Sequence, residues 1–344
     1  RAFDIPFENV RVVSPYVGGG FGSKGFVLPH SLAAAVAARA TGRPVKLALA
    51  RSQHFTAFGA RPSTRQTLKI GATEDGRILA IDHDGTNETA VDKVFVETLG
   101  VVTSMMYAVP NFRSTQRIAP VHTVLPGAFR APGKNPSAWA LESAIDELAV
   151  KLKLDPLELR RRNEPDHDFE SGKPWSSRRL LACYDAGAAA FGWGGRNPEP
   201  RSMRDGRQLV GWGMAVGTHP VYSSPGEATI RVRADGKVEV LSAAIDMGTG
   251  TYTILAQAGV AVEDVEVRLG DSRLPRAPVA GGSQLANLMV GAVHKTALAA
   301  REELIALGLT DPNSPLRDLA NTLTIEDGRI GASRGEAIGI AELL

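Results

Sequence analysis

A chain of 344 residues exceeds what one compact core usually holds and points to two domains. Its 43% apolar and 22% charged residues are ordinary for a soluble globular protein. With 39 Lys and Arg against 37 Asp and Glu, the net charge of +2 offers no electrostatic case for nucleic acid or a membrane surface. The longest apolar run, near 32–38, falls far short of the roughly 20 residues of a membrane span. There is no signal peptide, no initiating Met and no cap on the helix-like final residues, so the chain reads as a piece of something longer. The cytoplasm is favoured over the periplasm as its compartment.

In chain order, the β-branched run 10–13 reads as a strand that enters the loop Gly18-Gly19-Gly20-Phe21-Gly22-Ser23-Lys24. An Ala-rich helix over 29–40 ends at Thr41-Gly42-Arg43-Pro44, and 45–50 reads as another strand. Alternation over 64–89, broken by Glu74-Asp75-Gly76-Arg77, predicts a hairpin. A strand over 113–124 precedes a helix over 137–152 with Leu141, Ile145, Leu148 and Leu152 on one face. Asp155-Pro156 opens a short helix through Arg162. The Gly-, Pro-, Arg- and Asn-rich stretch 192–206 reads as a linker. Strands follow at 209–216, 228–232 and 238–244, with turns at Asp235-Gly236 and Asp327-Gly328 and helices over 251–262 and 291–307. No internal repeat is visible. Hairpins mixed with single helices predict an α+β fold, with one domain over 1–191 and a second over 207–344 that is truncated at its C-terminus.

Three glycine-rich stretches carry the chemistry: 18–24, Asp246-Met247-Gly248-Thr249-Gly250-Thr251, and Gly281-Gly282-Ser283. Each lies before a predicted helix, where unpaired N–H groups favour an anion such as phosphate. Hydroxyls at Ser23, Thr249, Thr251 and Ser283 add donors, so the set reads as a cradle for a large phosphate-bearing cofactor. The first stretch is no P-loop, because Lys24 is followed by Gly25. It nearly meets the dinucleotide pattern through Gly18, Gly20 and Ser23, but no acidic residue ends a strand about 20 residues on. At Gly127-Ala128-Phe129-Arg130-Ala131-Pro132-Gly133 an Arg sits among small residues that would let its guanidinium reach an oxyanion; a surface turn is the plainer alternative.

The 7 His residues form no metal-ligand pair, and His219 reads as a structural loop residue. Cys183, the single cysteine, rules out an internal disulfide and a four-cysteine cluster; a small buried core residue is the expected reading. Asp146 and Glu147 read as solvated, and no Gly-x-Ser-x-Gly element is present. No catalytic residue or protein metal ligand is assigned.

Together these motifs resemble the molybdopterin-binding large subunit of the xanthine dehydrogenase and aldehyde oxidoreductase family. The likeness runs from about residue 8 to 344. It covers 18–24, Phe129-Arg130-Ala131-Pro132-Gly133, the stretch from Ala140-Leu141-Glu142 through Leu159-Arg160-Arg161-Arg162-Asn163, Asp246–Thr251 with Gln257, and Gly270-Asp271-Ser272 with 281–283. The resemblance implies hydroxylation of an aldehyde or aromatic heterocycle at molybdenum, with water as the oxygen source. The metal is then held by the pterin dithiolene, in a cofactor that in bacterial members is often the cytosine dinucleotide form. It implies cofactor contacts from Gly20, Phe21, Gly22, Arg130, Gly248, Thr249, Gly250, Gly281, Gly282 and Ser283. Iron–sulfur clusters and FAD are expected only on partner subunits.

Three departures qualify this. The family's catalytic Glu lies in a Gly-Glu element that Gly335-Glu336 does not match, so the base is expected outside this chain. Gly25 and Pro132 replace a Glu and an aromatic of purine-oxidising members, which argues against purines and favours an aldehyde or other small carbonyl. Leu285, Leu288 and Val290 replace small and hydroxyl residues, and support the alternative of a non-catalytic remnant or subunit-assembly module.

Overall fold

The computed structural model describes residues 3–169, 171–220, 222–256, 261–317, 323–326, 328–332 and 337–344. It falls into two compact units, one spanning 22–220 and the other joining 1–21 to 221–344.

The 22–220 unit begins with α1 (Pro29–Thr41) and α2 (Arg51–Ala57). Its sheet follows: β1 (Thr64–Ala72) and β2 (Ile78–Ala90) form the antiparallel hairpin. The chain then crosses over through α3 (Thr103–Met106), and β3 (Asn111–Val121) pairs parallel to β2. Over this sheet lies α4 (Lys134–Leu152), with Leu141, Ile145 and Ala149 buried in one core with Ile78, Ile81, Met106 and Tyr107. The apolar 3.6-residue period of α4 thus faces the apolar face of β2, which is what holds helix to sheet. Next, α5 (Pro156–Arg162) starts where the Asp155 carboxylate accepts the N–H of Leu157 at 2.8 Å. The unit closes with α6 (Leu180–Phe191) and a small hairpin of β4 (Arg204–Asp205) and β5 (Gln208–Leu209).

The second unit repeats this order. A hairpin of β6 (Thr229–Val232) and β7 (Val238–Ser242) leads through α7 (Thr251–Leu255) to β8 (Val265–Leu269), parallel to β7. The long α8 (Leu285–Thr310) follows, burying Leu285, Met289 and Val293 against Val238, Val240 and Leu269. Both units therefore run hairpin, short crossover helix, parallel strand, long helix. Residues 3–21 join this unit through bridges of Val13 to Asp271 and Tyr16 to Asp246. A last sheet of β9 (Leu323–Glu326), β10 (Arg329–Ala332) and β11 (Ala337–Gly339), followed by α9 (Ile340–Leu343), builds a smaller core around Leu304, Leu316 and Ile330. No helix among the described residues is long and apolar enough to cross a membrane.

The α+β architecture is as expected, but several local readings are corrected. Residues 45–50 and 210–216 join no strand ladder, and 10–13 contribute a single bridge. A β-branched run becomes a strand only where a neighbour offers a ladder and a half-buried face. Cys183 is exposed, because α6 turns only Tyr184 fully inward. Asp146 is half-exposed yet paired with Arg160 at 2.8 Å.

Beneath the start of α4 runs a buried polar chain. His83 Nε2 lies 2.9 Å from Gln66 Oε1 and its Nδ1 lies 3.3 Å from Thr103 Oγ1, while the Gln66 amide donates to Pro136 O at 3.1 Å. Burial lowers the His83 pKa below the ordinary imidazole value, against the charges of Asp82 and Asp84. The folded state therefore resists protonation, and its stability is complete above the unfolded pKa of about 6.5. We expect stability to fall as pH drops below that value, by at most about 1.4 kcal/mol per pH unit for one proton. Urea unfolding at pH 7 and pH 5 would show this slope, and His83→Gln should flatten it. An unchanged slope in His83→Gln would assign the pH dependence to other groups.

Candidate cofactor-binding site

The first glycine stretch spans the division between the units, which falls between Phe21 and Gly22. Sequence placed it at a helix start, but a turn over 21–24 and four more residues separate it from α1. Phe21 is exposed and left-handed, with φ of +51°. Within the 22–220 unit, Gly22 lies against the backbone of Ala128, just before Arg130. The structure thus brings Gly22 and the Arg130 segment together.

Arg130 itself is exposed, and its guanidinium has no partner among the described residues. Its backbone is held differently. Arg61 Nη2 donates to Phe129 O at 2.7 Å and to Arg130 O at 2.5 Å. Arg61 Nη1 pairs with the fully buried Glu97 at 3.0 Å, and Glu97 Oε1 also accepts Gly133 N–H at 2.7 Å. Arg61 and Glu97 were not singled out in the sequence. Arg61 nonetheless has the surroundings that marked Arg130, an Arg among small residues in Gly59-Ala60-Arg61-Pro62.

In the other unit, Val17 N–H donates to Asp246 O at 2.8 Å, which sets the start of the first glycine stretch beside the second. Gly20 and Phe21 follow directly. The ring of Tyr16 stacks on Tyr252 at 5.0 Å. Gly248, Thr249 and Gly250 form the turn into α7, and Gly250 is its N-cap. Their amides do not all face outward: the Asp246 carboxylate accepts Gly248 N–H at 2.7 Å and Tyr252 N–H at 3.3 Å. Partial burial works against the Asp246 charge, but these amides hold its pKa below the usual carboxylate range. The anion expected at this turn from sequence is thus supplied in part by the chain itself. The Thr249 hydroxyl lies 3.3 Å from that of Thr251. Gly281, Gly282 and Ser283 sit between β8 and α8, with Gly282 facing the ring of Tyr222.

That position is the counterpart of the Arg130 segment, which sits between β3 and α4 in the first unit. The parallel extends to conformation. Six non-glycine residues among those described have positive φ, and three of them are Phe21, Ala131 and Ser283 at +51°, +61° and +55°. Left-handed backbone costs an L-residue about 1–2 kcal/mol and collects at functional loops. Among the described residues no three His, Cys, Asp or Glu converge as a metal site. Gln257 and Gly335-Glu336 lie outside the described residues.

A family model described as molybdopterin cofactor-binding domain matches residues 1–164, and a second model of the same description matches 186–342. The chain belongs to the molybdopterin-binding large subunits of the molybdenum hydroxylase family. Within that family it is 39% identical over 326 residues to the molybdenum-binding subunit PaoC of aldehyde oxidoreductase from Escherichia coli strain K12. The match covers 91% of this chain and 43% of that subunit. It is 30% identical over 324 residues to the putative xanthine dehydrogenase molybdenum-binding subunit XdhA of the same organism, covering 89% of this chain and 43% of that one. The fold matches quinoline 2-oxidoreductase from Pseudomonas putida 86 with a TM-score of 0.82 and 24% identity, over 98% of this chain and 47% of that one. The chain therefore spans less than half the length of these relatives.

Proposed function

We propose that this chain is the cofactor-holding part of a molybdenum hydroxylase large subunit that oxidises an aldehyde or aromatic heterocycle with water as the oxygen source. The observation that carries the reading is Arg130: a guanidinium with no partner among the described residues, on a loop whose backbone is anchored and left-handed at the next residue. Such a group suits an oxyanion-rich ligand, and the glycine backbone beside it leaves room for close approach. The donor set thus fits molybdopterin.

Within 22–220, Gly22 and Arg130 would meet the cofactor. Within the other unit, Gly20, Phe21, Gly248, Thr249, Gly250, Gly281, Gly282 and Ser283 would do so. Backbone N–H groups other than those of Gly248 and Gly281, which Asp246 and Val279 O already take, would donate to it together with the Thr249 and Ser283 hydroxyls, and the exposed ring of Phe21 would shield it from water. When bound, molybdenum supplies the acidity that activates water and the capacity to accept electrons. The cofactor is proposed to be the cytosine dinucleotide form, with iron–sulfur clusters and FAD on partner subunits. Gly25 and Pro132 favour an aldehyde over a purine.

The reading of a non-catalytic assembly module leans on Leu285, Leu288 and Val290. Leu285 packs in the α8 core at 6% exposure, so packing gives it a reason of its own. Arg130→Ala in the full-length subunit tests the proposal. We expect molybdenum content or turnover to fall by about 100-fold, the scale of removing one preorganised donor, with the thermal midpoint unchanged. Full metal loading with wild-type turnover would overturn it.

A further inference from the structure

We infer that Arg61 and Glu97 are positioning residues that act on the cofactor through Arg130; this rests on the cofactor role proposed for Arg130. The Arg61 guanidinium gathers the carbonyls of Phe129 and Arg130, and lies 3.5 Å from that of Ala131. Successive carbonyls of an extended chain point to opposite sides. Three can turn toward one cation only if the chain bends, and Ala131 supplies the bend at φ of +61°. A compact ammonium cannot span the same set, because it lacks the planar fork of donors.

Glu97 completes the clamp. It is fully buried, so its charge requires the Arg61 partner at 3.0 Å, and its Oε1 also takes the N–H of Gly133. A side chain at Gly133 would meet Thr98 O at 2.4 Å, so the clamp and the adjoining backbone fit without space to spare. Gly127 N–H donates to Ala60 O at 3.1 Å and fixes the other end of the segment. Residues 127–133 are thus tied at both ends and in the middle. The side chains left exposed are those of Phe129 and Arg130, and of these only Arg130 carries a charge outward. The ion pair fixes the Arg130 backbone, and this sets where its guanidinium can go.

The test uses the full-length subunit with Arg61→Lys, Glu97→Gln, Arg130→Ala and the double variant Arg61→Lys/Arg130→Ala. Two quantities besides turnover are read: molybdenum per subunit, and amide exchange of the peptide 125–137 in cofactor-free protein. Arg61→Lys should speed exchange of that peptide by about tenfold while β2 exchanges as in wild type. It should lower molybdenum content or kcat toward the Arg130→Ala value. In the Arg130→Ala background it should change neither by more than about twofold, since it would act only through Arg130. If Arg61→Lys does not fold, Glu97→Gln reports in the same direction, as it keeps the side-chain shape and removes the charge. Wild-type exchange, loading and turnover in Arg61→Lys, beside an impaired Arg130→Ala, would overturn the positioning role alone. An unimpaired Arg130→Ala would overturn the cofactor reading and this inference with it.

Discussion

Replacing Arg160 with Met is expected to destabilise the 22–220 unit by about 3–5 kcal/mol, the cost of stranding a buried charge. Arg160 is fully buried, and its guanidinium is completely used. It donates to Glu142 Oε2 at 3.0 Å through Nε, to Asp146 at 2.8 Å, to Pro156 O at 3.0 Å and to Met214 O at 3.3 Å. Glu142, 5% exposed, also accepts Val216 N–H at 2.8 Å and the Tyr107 hydroxyl. One ion pair thereby ties α4, α5, the end of α3 and residues 214–216 together. Burial disfavours the Arg160 charge, but the Glu142 and Asp146 carboxylates beside it more than offset this and raise its pKa. Burial and the Glu142 charge in turn keep the Tyr107 proton in place. Urea unfolding of the chain would measure the loss. Arg160→Met/Glu142→Leu should recover part of it, though Val216 N–H and the Tyr107 hydroxyl would still lack an acceptor. A loss below about 1 kcal/mol, the scale of an exposed pair, would refute this account.

That network shows where a linear reading stops. The helix over 137–152 was legible because Leu141, Ile145, Leu148 and Leu152 repeat with the helical period, and Asp155-Pro156 announced the next helix by its cap. The hairpin at Asp75-Gly76 was legible from local turn chemistry. Asp146 read as a solvated surface acid because its partner lies 14 residues on, across a turn. The joining of residues 3–21 to the 246–271 region is a pairing over more than 200 positions, to which no local propensity responds. The shared order of the two units was hidden for another reason. Hairpin turns at Asp75-Gly76 and Asp235-Gly236 match, but the connections into α4 and α8 differ in length and composition, so no fixed period survives.

The candidate site divides in the same way. Glycines and Arg130 could be picked out because residues without bulk, set around one cation, are unusual. The groups that organise them could not. Asp246 looked like the first letter of a glycine motif, and the structure shows its carboxylate occupying the amides of the turn it begins. Arg61 and Glu97 stand 36 residues apart, and although Arg61 shares the small neighbours of Arg130, no local signal joins it to Glu97. Their meaning comes from meeting beneath one loop.

Gly22→Ala is expected to separate the two loops that sequence could name. A Cβ on Gly22 would stand 2.1 Å from Ala128 O and 2.7 Å from Ala128 C, and φ there is +104°. Neither neighbour is a flexible side chain that can swing aside. The backbone must move by about 1 Å to restore ordinary contact, and an L-residue at this φ adds strain of about 1–3 kcal/mol. Since Ala128 lies two residues before Arg130, the displacement passes into the segment that Arg61 holds. A shift of about 1 Å in a positioning group can cost roughly 100-fold in rate, so we expect a loss of that order in turnover or molybdenum content. Gly18→Ala is the control, because a Cβ there meets nothing within 4 Å. It sits in the same glycine stretch and should load molybdenum as wild type. Equal loading and turnover in the two variants would mean that close packing of Gly22 on Ala128 has no part in holding the cofactor. A defect confined to Gly22→Ala would locate the effect in that backbone contact rather than in the glycine content of the loop.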